Sequence, residues 1–152
     1  MTGRPVVFDS SIYIPYLRGQ AYGNLVEPTG RAARARLSAV VVAELYAGTR
    51  AARDKADLDA VVRAYRSLGF LLEVATEDWI RAGQAIRRYT RLYGHVEPRE
   101  HLNDLLILAS SGRVGAQVAT ENSAAFVRWA GLLRRMGCPV RVAGIRREDY
   151  LD

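Results

Sequence analysis

The sequence predicts an α/β fold in which a parallel sheet has helices on both faces. Short apolar segments with strand character alternate with longer segments of helical periodicity. Such alternation produces parallel strands, because each connection returns across one face of the sheet. The predicted strands are residues 5–8, 36–38, 70–74, 116–119 and 140–145.

Three segments have apolar residues on one helix face. We expect their aromatic side chains in the core or in an interface, and not as a ligand cage. Gly137 is a typical stop for the last of these helices. Residues 19–30 and 94–98 are rich in turn-forming residues and are predicted loops. The three faces are Leu58, Val61, Val62, Tyr65 and Leu68; Trp79, Gly83, Ile86, Thr90 and Tyr93; and Phe126, Trp129, Ala130 and Leu133.

Length and composition indicate one domain over residues 1–152. A chain of this length buries about 68–70% of its unfolded surface, so its core needs no disulfide or structural metal. No apolar run approaches the roughly 20 residues that span a bilayer, and the first residues do not have the pattern of a signal peptide. Cys138 is the only cysteine. We therefore expect a cytoplasmic protein without membrane contact.

The net charge of +6 comes from arginine almost alone, since Lys55 is the only lysine. Coding bias is the simpler explanation of the arginine preference itself. A positive excess suits a polyanion whose phosphate meets a metal in an acidic pocket. A basic surface can equally bind an acidic protein partner.

Three carboxylates adjoin apolar stretches: Asp9 follows VVF, Glu44 follows VVVA, and Asp104 precedes LLILA. Such carboxylates are predicted to be partly buried, which is unfavourable unless a partner compensates the charge. If the fold gathers all three, their repulsion raises their pKa values, and a bound cation relieves it. The first hypothesis is therefore a site for a hard metal ion.

The predicted topology brings these acids to one edge of the sheet. Ligand sites of parallel sheets lie outside the carboxyl ends of the strands, where the strand order reverses. Asp9 ends the first strand, and Asn122 lies two residues beyond Thr120 at the end of the fourth. We expect both ends to meet at this edge.

Two predicted helices supply the other acids. Ser38 can cap a helix that carries Glu44 in its second turn, and Asn103 and Asp104 are predicted to begin a second helix. Taken singly, each of these residues also fits an ordinary structural role. Their order and context together favour a site.

Aspartate and glutamate oxygens favour Mg²⁺ or Mn²⁺ over zinc. The two histidines, His95 and His101, lie six positions apart in a predicted loop, a spacing that matches no zinc motif. Mg²⁺ usually takes one or two carboxylates and keeps several waters, one of which can become a nucleophile. The residues therefore indicate hydrolysis of a phosphodiester, with a secondary role for His101 near Asp104 left open.

The ordered set of motifs resembles the PIN-domain ribonucleases, most closely the VapC-type toxins of bacterial toxin–antitoxin pairs. The resemblance covers nearly the whole chain, and each motif alone is weak. The matching segments are residues 7–11 (VFDSS), Ser38 with residues 43–48 (AELYAG), residues 103–109 (NDLLILA), and residues 118–122 (VATEN) leading to Phe126.

The resemblance implies a compact three-layer α/β/α sandwich and an endoribonuclease that hydrolyses RNA with Mg²⁺ or Mn²⁺. It implies the toxin of a toxin–antitoxin pair, often a homodimer, whose antitoxin protein covers the site, commonly with an arginine reaching the carboxylates. The residues that match the family's site are the metal-binding, catalytic acids Asp9, Glu44 and Asp104, the catalytic Asn122 with Thr120 in the polar motif, and Ser10 as the hydroxyl after the first aspartate.

One position departs from the family pattern. The family usually has a fourth acid three residues after the asparagine, where this chain has Ala125. Glu121 is nearby, but its place in the chain predicts another side-chain direction. We expect Asp9 and Asp104 to hold the main ion, with Glu44 bound directly or through water, and the number of ions stays open. The alternative is a catalytically weak PIN-fold module that binds RNA or protein.

Two other phosphate-handling folds are disfavoured. Phosphate-receiver domains need a second phospho-acceptor aspartate and a lysine late in the chain, and the only lysine is Lys55. Haloacid-dehalogenase phosphatases need Asp-x-Asp after the first strand, where this chain has Asp9, Ser10 and Ser11.

Arginines cluster with tyrosines on the predicted helices. Solvated helix faces would explain them, and contact with the RNA backbone is the more specific hypothesis, because arginine pairs bidentately with phosphate and stacks on bases. The residues are Arg87, Arg88, Arg91, Tyr89 and Tyr93 on one helix, and Arg134 and Arg135 on another.

Overall fold

The computed structural model describes residues 3–27 and 34–152. Within these ranges, five strands form one all-parallel sheet in the order β3-β2-β1-β4-β5. The predicted fold class, a three-layer α/β/α sandwich, is confirmed. The strands are β1 (Val6–Phe8), β2 (Ala35–Ser38), β3 (Leu71–Leu72), β4 (Gln117–Thr120) and β5 (Val142–Gly144).

Most contacts between helices fall within two groups, α1 to α4 and α5 to α7, and α3 also packs against α6. Among the described residues, none of the helices combines the length and the apolarity that a bilayer crossing requires. The helices are α1 (Ser10–Leu17), α2 (Gly23–Val26), α3 (Ala39–Gly48), α4 (Ala52–Ser67), α5 (Thr76–Tyr93), α6 (Pro98–Arg113) and α7 (Ser123–Arg135), followed by a short 3₁₀ helix (Arg147–Asp149).

The central strand β1 marks the reversal in strand order. Val6 of β1 pairs with Ala35 of β2 on one side and with Gln117 of β4 on the other. The chain builds outward from β1 to β3, then returns to add β4 and β5 on the opposite side. The carboxyl ends of β1 and β4 therefore flank the crevice where parallel sheets bind ligands.

Helices on both faces bury the central strand β1. Every residue of β1 is buried, and Val7 and Val118 have no exposed surface. Strands buried on both faces are continuous apolar runs, as the VVF segment is. The predicted faces of α4 and α7 are confirmed, since Leu58, Tyr65 and Trp129 are fully buried.

The predicted face of α5 was wrong in part. Its buried residues are Asp78, Ala82, Ala85 and Ile86, while Trp79 is 51% and Tyr93 is 63% exposed. Small alanines allow α5 to pack closely against its neighbours, so the buried face is rotated from the one that the large side chains indicated. Trp79 and Tyr93 are therefore not core residues.

Two boundaries also differ from the predictions. The helix that carries Asp104 begins at Pro98, where a proline fits the first turn because it has no N–H to donate. His101 and Asp104 consequently lie inside α6, and His101 is not in a loop. The predicted loop 19–30 contains α2 (Gly23–Val26), and its residues 28–30 lie outside the described residues.

The predicted stop at Gly137 is confirmed. Gly137 has φ +86°, a left-handed conformation that glycine adopts without steric cost. Its N–H donates to the Arg134 carbonyl and closes the end of α7.

Candidate active site

Asp9 lies where β1 ends and α1 begins, and two hydroxyls hold its carboxylate. The residue is only 7% exposed. The Ser11 hydroxyl donates to Asp9 Oδ1 at 2.6 Å, and the Thr120 hydroxyl donates to Asp9 Oδ2 at 3.0 Å. Each carboxylate oxygen accepts one of these bonds, so each keeps lone-pair capacity for a further partner.

The backbone of the β4–α7 turn orients both hydroxyls. The Glu121 N–H donates to Ser11 Oγ at 3.1 Å, and the Asn122 N–H donates to Thr120 Oγ1 at 2.9 Å. Because each hydroxyl oxygen accepts a backbone bond, its own hydrogen is left to point at the carboxylate. The turn therefore fixes the orientation of the Asp9 carboxylate, although more than a hundred residues of sequence separate the two.

Ser11, and not Ser10, contacts the first aspartate. Ser10 is the first residue of α1, and its side chain forms no hydrogen bond with any described residue. Ser11 points back towards the end of β4 and touches both Asp9 and Thr120. The sequence prediction assigned this supporting role to Ser10, whereas the turn of α1 places the Ser11 hydroxyl on the carboxylate.

Glu44 reaches the same region from α3. Ser38 ends β2 and caps α3 by accepting a hydrogen bond from the Val40 N–H at 3.2 Å, as predicted. Glu44 in the second turn is half-buried. Burial raises the pKa of the Glu44 carboxyl, while the Asn103 side chain of α6 lowers it. Asn103 is therefore close enough to act on Glu44, which its sequence position beside Asp104 did not reveal.

Asp104 is half-buried on α6, one turn after His101. Burial raises the pKa of the Asp104 carboxyl, while His101 lowers it. The His101 ring packs against Trp129 with 5.3 Å between ring centroids.

The three acids act on one another electrostatically. Burial is the largest cause of a raised pKa in each of Asp9, Glu44 and Asp104. The Asp104 charge raises the pKa of both Asp9 and Glu44 further, and the Asp9 charge adds to the effect on Glu44. The fold thus brings the three sequence-predicted acids into one region of unfavourable negative potential.

The donor set fits a hydrated hard cation. Among the described residues, no three acidic, histidine or cysteine side chains are close enough to form a ready-made metal cage. Mg²⁺ does not need one, because it binds through one or two carboxylates and completes its shell with water. Carboxylate oxygens with spare lone pairs and mutual repulsion meet that requirement.

The other polar residues considered for the site differ in their surroundings. Asn122 is exposed at the start of α7, and its side chain makes no capping bond there. Ala125 is in the first turn of the same helix. Glu121 is bound elsewhere: it accepts two bonds from Arg147, at 2.9 and 3.0 Å, and one from the Tyr22 hydroxyl at 2.6 Å. Arg147 is the main cause of its lowered pKa.

Two grooves flank Glu44. One has a volume of about 480 Å³ and is lined mainly by apolar side chains of α3, α5 and α6, including Val40, Trp79 and Leu106. The other has about 180 Å³ and lies between α1 and α3, with Ile14 among its lining residues. The acids are therefore reached from a surface that also offers apolar contacts.

The chain matches the PIN domain family model over residues 6–132. A DNA-bound VapBC complex from Salmonella typhimurium has a similar fold, with a TM-score of 0.65 and 22% identity, covering 93% of this chain and 98% of that chain. VapBC2 from Rickettsia felis, bound to a promoter DNA fragment, has a TM-score of 0.62 and 17% identity, with coverage of 93% and 98%.

A third similar structure is VapBC-5 from Mycobacterium tuberculosis, a member of the VapBC family of toxin-antitoxin systems. Its TM-score is 0.58 and its identity 18%, with coverage of 94% and 100%. No curated protein matches the sequence significantly. At these identities the solved structures show a shared fold.

Proposed function

This chain belongs to the PIN-domain family, and on that premise we propose that it is a Mg²⁺- or Mn²⁺-dependent endoribonuclease, the toxin of a toxin–antitoxin pair. The observation that carries the proposal is the coupling of Asp9, Glu44 and Asp104 at the carboxyl edge of the sheet. Partly buried acids that lie near one another repel, and a bound cation relieves that repulsion. A phosphodiester is the substrate class that such a cation serves best on a protein of net charge +6.

Asp9 and Asp104 would hold the ion, with Glu44 bound directly or through water. When bound, the metal neutralises phosphate charge and lowers the pKa of an attacking water. Ser11 and Thr120 keep the Asp9 carboxylate in one orientation, which reduces the reorganisation needed when substrate arrives. Ser10 is left out of this set, and Ser11 takes its proposed supporting role.

Asn122 would contact the substrate directly. Its carboxamide is exposed beside the end of β4 and is not used to cap α7. An amide donor at this place can bind a phosphate oxygen that gains charge in the transition state. Glu121 is not included, because Arg147 and Tyr22 already use its oxygens.

The protein partners follow from the same premise. VapBC-5 belongs to a family of toxin-antitoxin systems, and we propose that a cognate antitoxin protein inhibits this chain by covering the carboxylates. We also propose a homodimer, since Trp79, which lines the larger apolar groove, exposes 51% of its surface, and the next residue of α5, Ile80, exposes 53%. The whole of residues 1–152 would form one nuclease domain that acts in the cytoplasm.

A catalytically weak PIN-fold module that binds RNA or protein is the second candidate. The observation that favours it is Ala125 at the fourth acidic position, together with the commitment of Glu121 to Arg147. Such a module would keep the fold and the basic surface but would turn over slowly or not at all.

Cleavage of labelled RNA with and without Mg²⁺ or Mn²⁺ tests the proposal. We expect cleavage that EDTA abolishes and that Asp104→Asn reduces by at least about a hundredfold, in the range found for loss of a transition-state charge contact. Glu148→Gln is the matched control, because it removes an exposed carboxylate that forms no hydrogen bond or ion pair with a described residue. Equal cleavage by Asp104→Asn and wild type would overturn the proposed site.

Expression in growing cells separates the two candidates. A nuclease toxin should arrest growth, Asp9→Ala should relieve the arrest, and sequencing of RNA ends after brief induction should reveal new 5′ ends absent from the Asp9→Ala culture. Growth without arrest and RNA without new ends would favour the binding module.

A further inference from the structure

One surface of the protein carries a strong and uncompensated positive charge. On α5 beyond Asp78 and on the whole of α7 there are seven arginines and no acidic residue. The complete chain has a net charge of only +6, so the rest of the molecule is close to neutral or slightly acidic. The charge is therefore concentrated on two neighbouring helices, which we call the α5/α7 surface.

Three of the four arginines of α5 are open to solvent. Arg87, Arg88 and Arg91 are exposed and line a groove of about 620 Å³ together with Gln84, Leu92 and Met136. None of these three arginines forms an ion pair with a described residue. Like charges three and four positions apart on a helix repel each other. No acidic residue on this part of α5 offsets the repulsion, as expected for a surface that binds a polyanion.

A row of aromatic rings connects this surface to the candidate active site. His101 lies one turn before Asp104 and packs on Trp129 at 5.3 Å. Trp129 packs on Tyr89 at 5.0 Å, and Tyr89 packs on Tyr93 at 4.9 Å between ring centroids. Tyr93 ends the row with 63% of its surface exposed.

A second groove lies beside the exposed end of this row. It has a volume of about 200 Å³ and is lined by Tyr89, Tyr93, Arg128, Leu132 and Arg135. The Arg128 guanidinium lies 5.8 Å from the centre of the Tyr89 ring. Tyr93 is exposed, and neither Arg128 nor Arg135 forms an ion pair with a described residue. An exposed aromatic ring next to such guanidinium groups can bind single-stranded nucleic acid, through base stacking and phosphate contacts.

We propose that the α5/α7 surface binds single-stranded RNA that extends from the cleavage site, with Tyr93 stacked on a base and Arg128 and Arg135 on phosphates. This inference rests on the proposed ribonuclease function and adds the part of the substrate beyond the scissile bond. RNA is favoured over an acidic protein because the positive charge is combined with an exposed ring at the end of a row that begins beside Asp104.

Fluorescence anisotropy with a labelled single-stranded RNA of about 20 nucleotides tests this proposal in the Asp104→Asn background, where cleavage does not interfere. We expect Tyr93→Ala to weaken binding about tenfold, from the loss of one stacked base. Tyr93→Phe keeps the ring and should bind as tightly as the parent. Tyr93→Ala binding as tightly as Tyr93→Phe would overturn the stacking role.

The arginines are tested by the salt dependence of the same measurement. The double variant Arg128→Gln/Arg135→Gln should reduce the slope of log K against log salt by about 1.4, or about 0.7 per lost phosphate contact. The control double variant Arg53→Gln/Arg63→Gln removes two exposed arginines from α4 and should leave the slope nearly unchanged. Equal slopes for the two double variants would contradict the phosphate contacts.

Two further measurements separate this inference from the proposed function. Wild type and Tyr93→Ala should cleave a tetranucleotide at the same rate. On a long RNA, Tyr93→Ala should be slower than wild type. Absence of all cleavage with intact, Tyr93-dependent RNA binding would reject the nuclease and keep the RNA surface. Binding of poly-glutamate that depends on Arg128 and Arg135, with unchanged RNA binding, would reject the RNA surface and assign it to an acidic protein.

Discussion

Arg147 holds Glu121 in a two-point ion pair, with Nε 2.9 Å from Oε1 and Nη2 3.0 Å from Oε2. The pair ties the 3₁₀ helix to the end of β4, and the Tyr22 hydroxyl adds a third bond to the same carboxylate. Glu121 is the acid next to Thr120, which holds Asp9, so its commitment to Arg147 removes it from the site. The nearby acid that could have replaced the one missing at Ala125 is therefore used for structure.

Glu121→Gln should consequently leave RNA cleavage within about threefold of wild type, because its carboxylate already has other partners. The variant should lose some thermal stability, since glutamine cannot keep the charged pair with Arg147. Cleavage rates and melting temperatures measured side by side check both outcomes. A loss of cleavage as large as that of Asp104→Asn would mean that Glu121 binds the metal after all.

Ser11→Ala and Ser10→Ala form a matched pair that tests the support of Asp9. Ser11→Ala removes the donor at 2.6 Å and should reduce cleavage about tenfold or more, since a bond to a charged group contributes about 1.5–3 kcal/mol. Ser10→Ala should have little effect, because its hydroxyl forms no hydrogen bond with a described residue.

The pH profile gives a second measurement for this pair. The Ser11 bond lowers the pKa of Asp9, so its removal should raise that pKa and move the acidic limb of the rate profile to higher pH. A shift in Ser10→Ala, and none in Ser11→Ala, would reverse the assignment.

Asp104→Asn should stabilise the metal-free protein at neutral pH. The folded-state pKa of Asp104 is above its ordinary value of 3.8, so its contribution to stability is full below that value and falls as pH rises through the folded pKa. Asparagine carries no charge, so the variant's advantage should be largest near pH 7.5 and should shrink as pH falls towards 4. Urea unfolding of both proteins across this range measures the difference. An Asp104→Asn protein less stable than wild type at pH 7.5 with EDTA would contradict the prediction.

Mg²⁺ or Mn²⁺ should raise the melting temperature of the wild-type protein. An ion at one hundred times its dissociation constant adds about 2.7 kcal/mol, which corresponds to roughly 5–10 °C for a domain of this size. The increase should be absent in Asp9→Asn and Asp104→Asn, and it should fade as the carboxyls become protonated at acidic pH. Glu148→Gln is the control, and an equal increase in all four proteins would point to general ionic effects.

Much of the fold followed from local pattern. The apolar VVF segment is recognisable as a strand because burial on both faces requires continuous apolar residues. The face of α5 was predicted incorrectly, because large side chains dominate a periodicity count while Ala82 and Ala85 make the close contacts in the fold. The start of α6 was missed because the polar turn after Pro98 has no apolar period.

The sequence by itself determined that the acids would lie at one edge of the sheet. Strand ends at Asp9 and Thr120 and the helix cap at Ser38 depend only on neighbours a few residues away. Only the tertiary structure decided which hydroxyl supports Asp9, and that Arg147 withdraws Glu121 from the site. It also decided that the rings from His101 to Tyr93 form one row. These relationships join segments far apart in the chain, and their geometry is set by packing that no local pattern encodes.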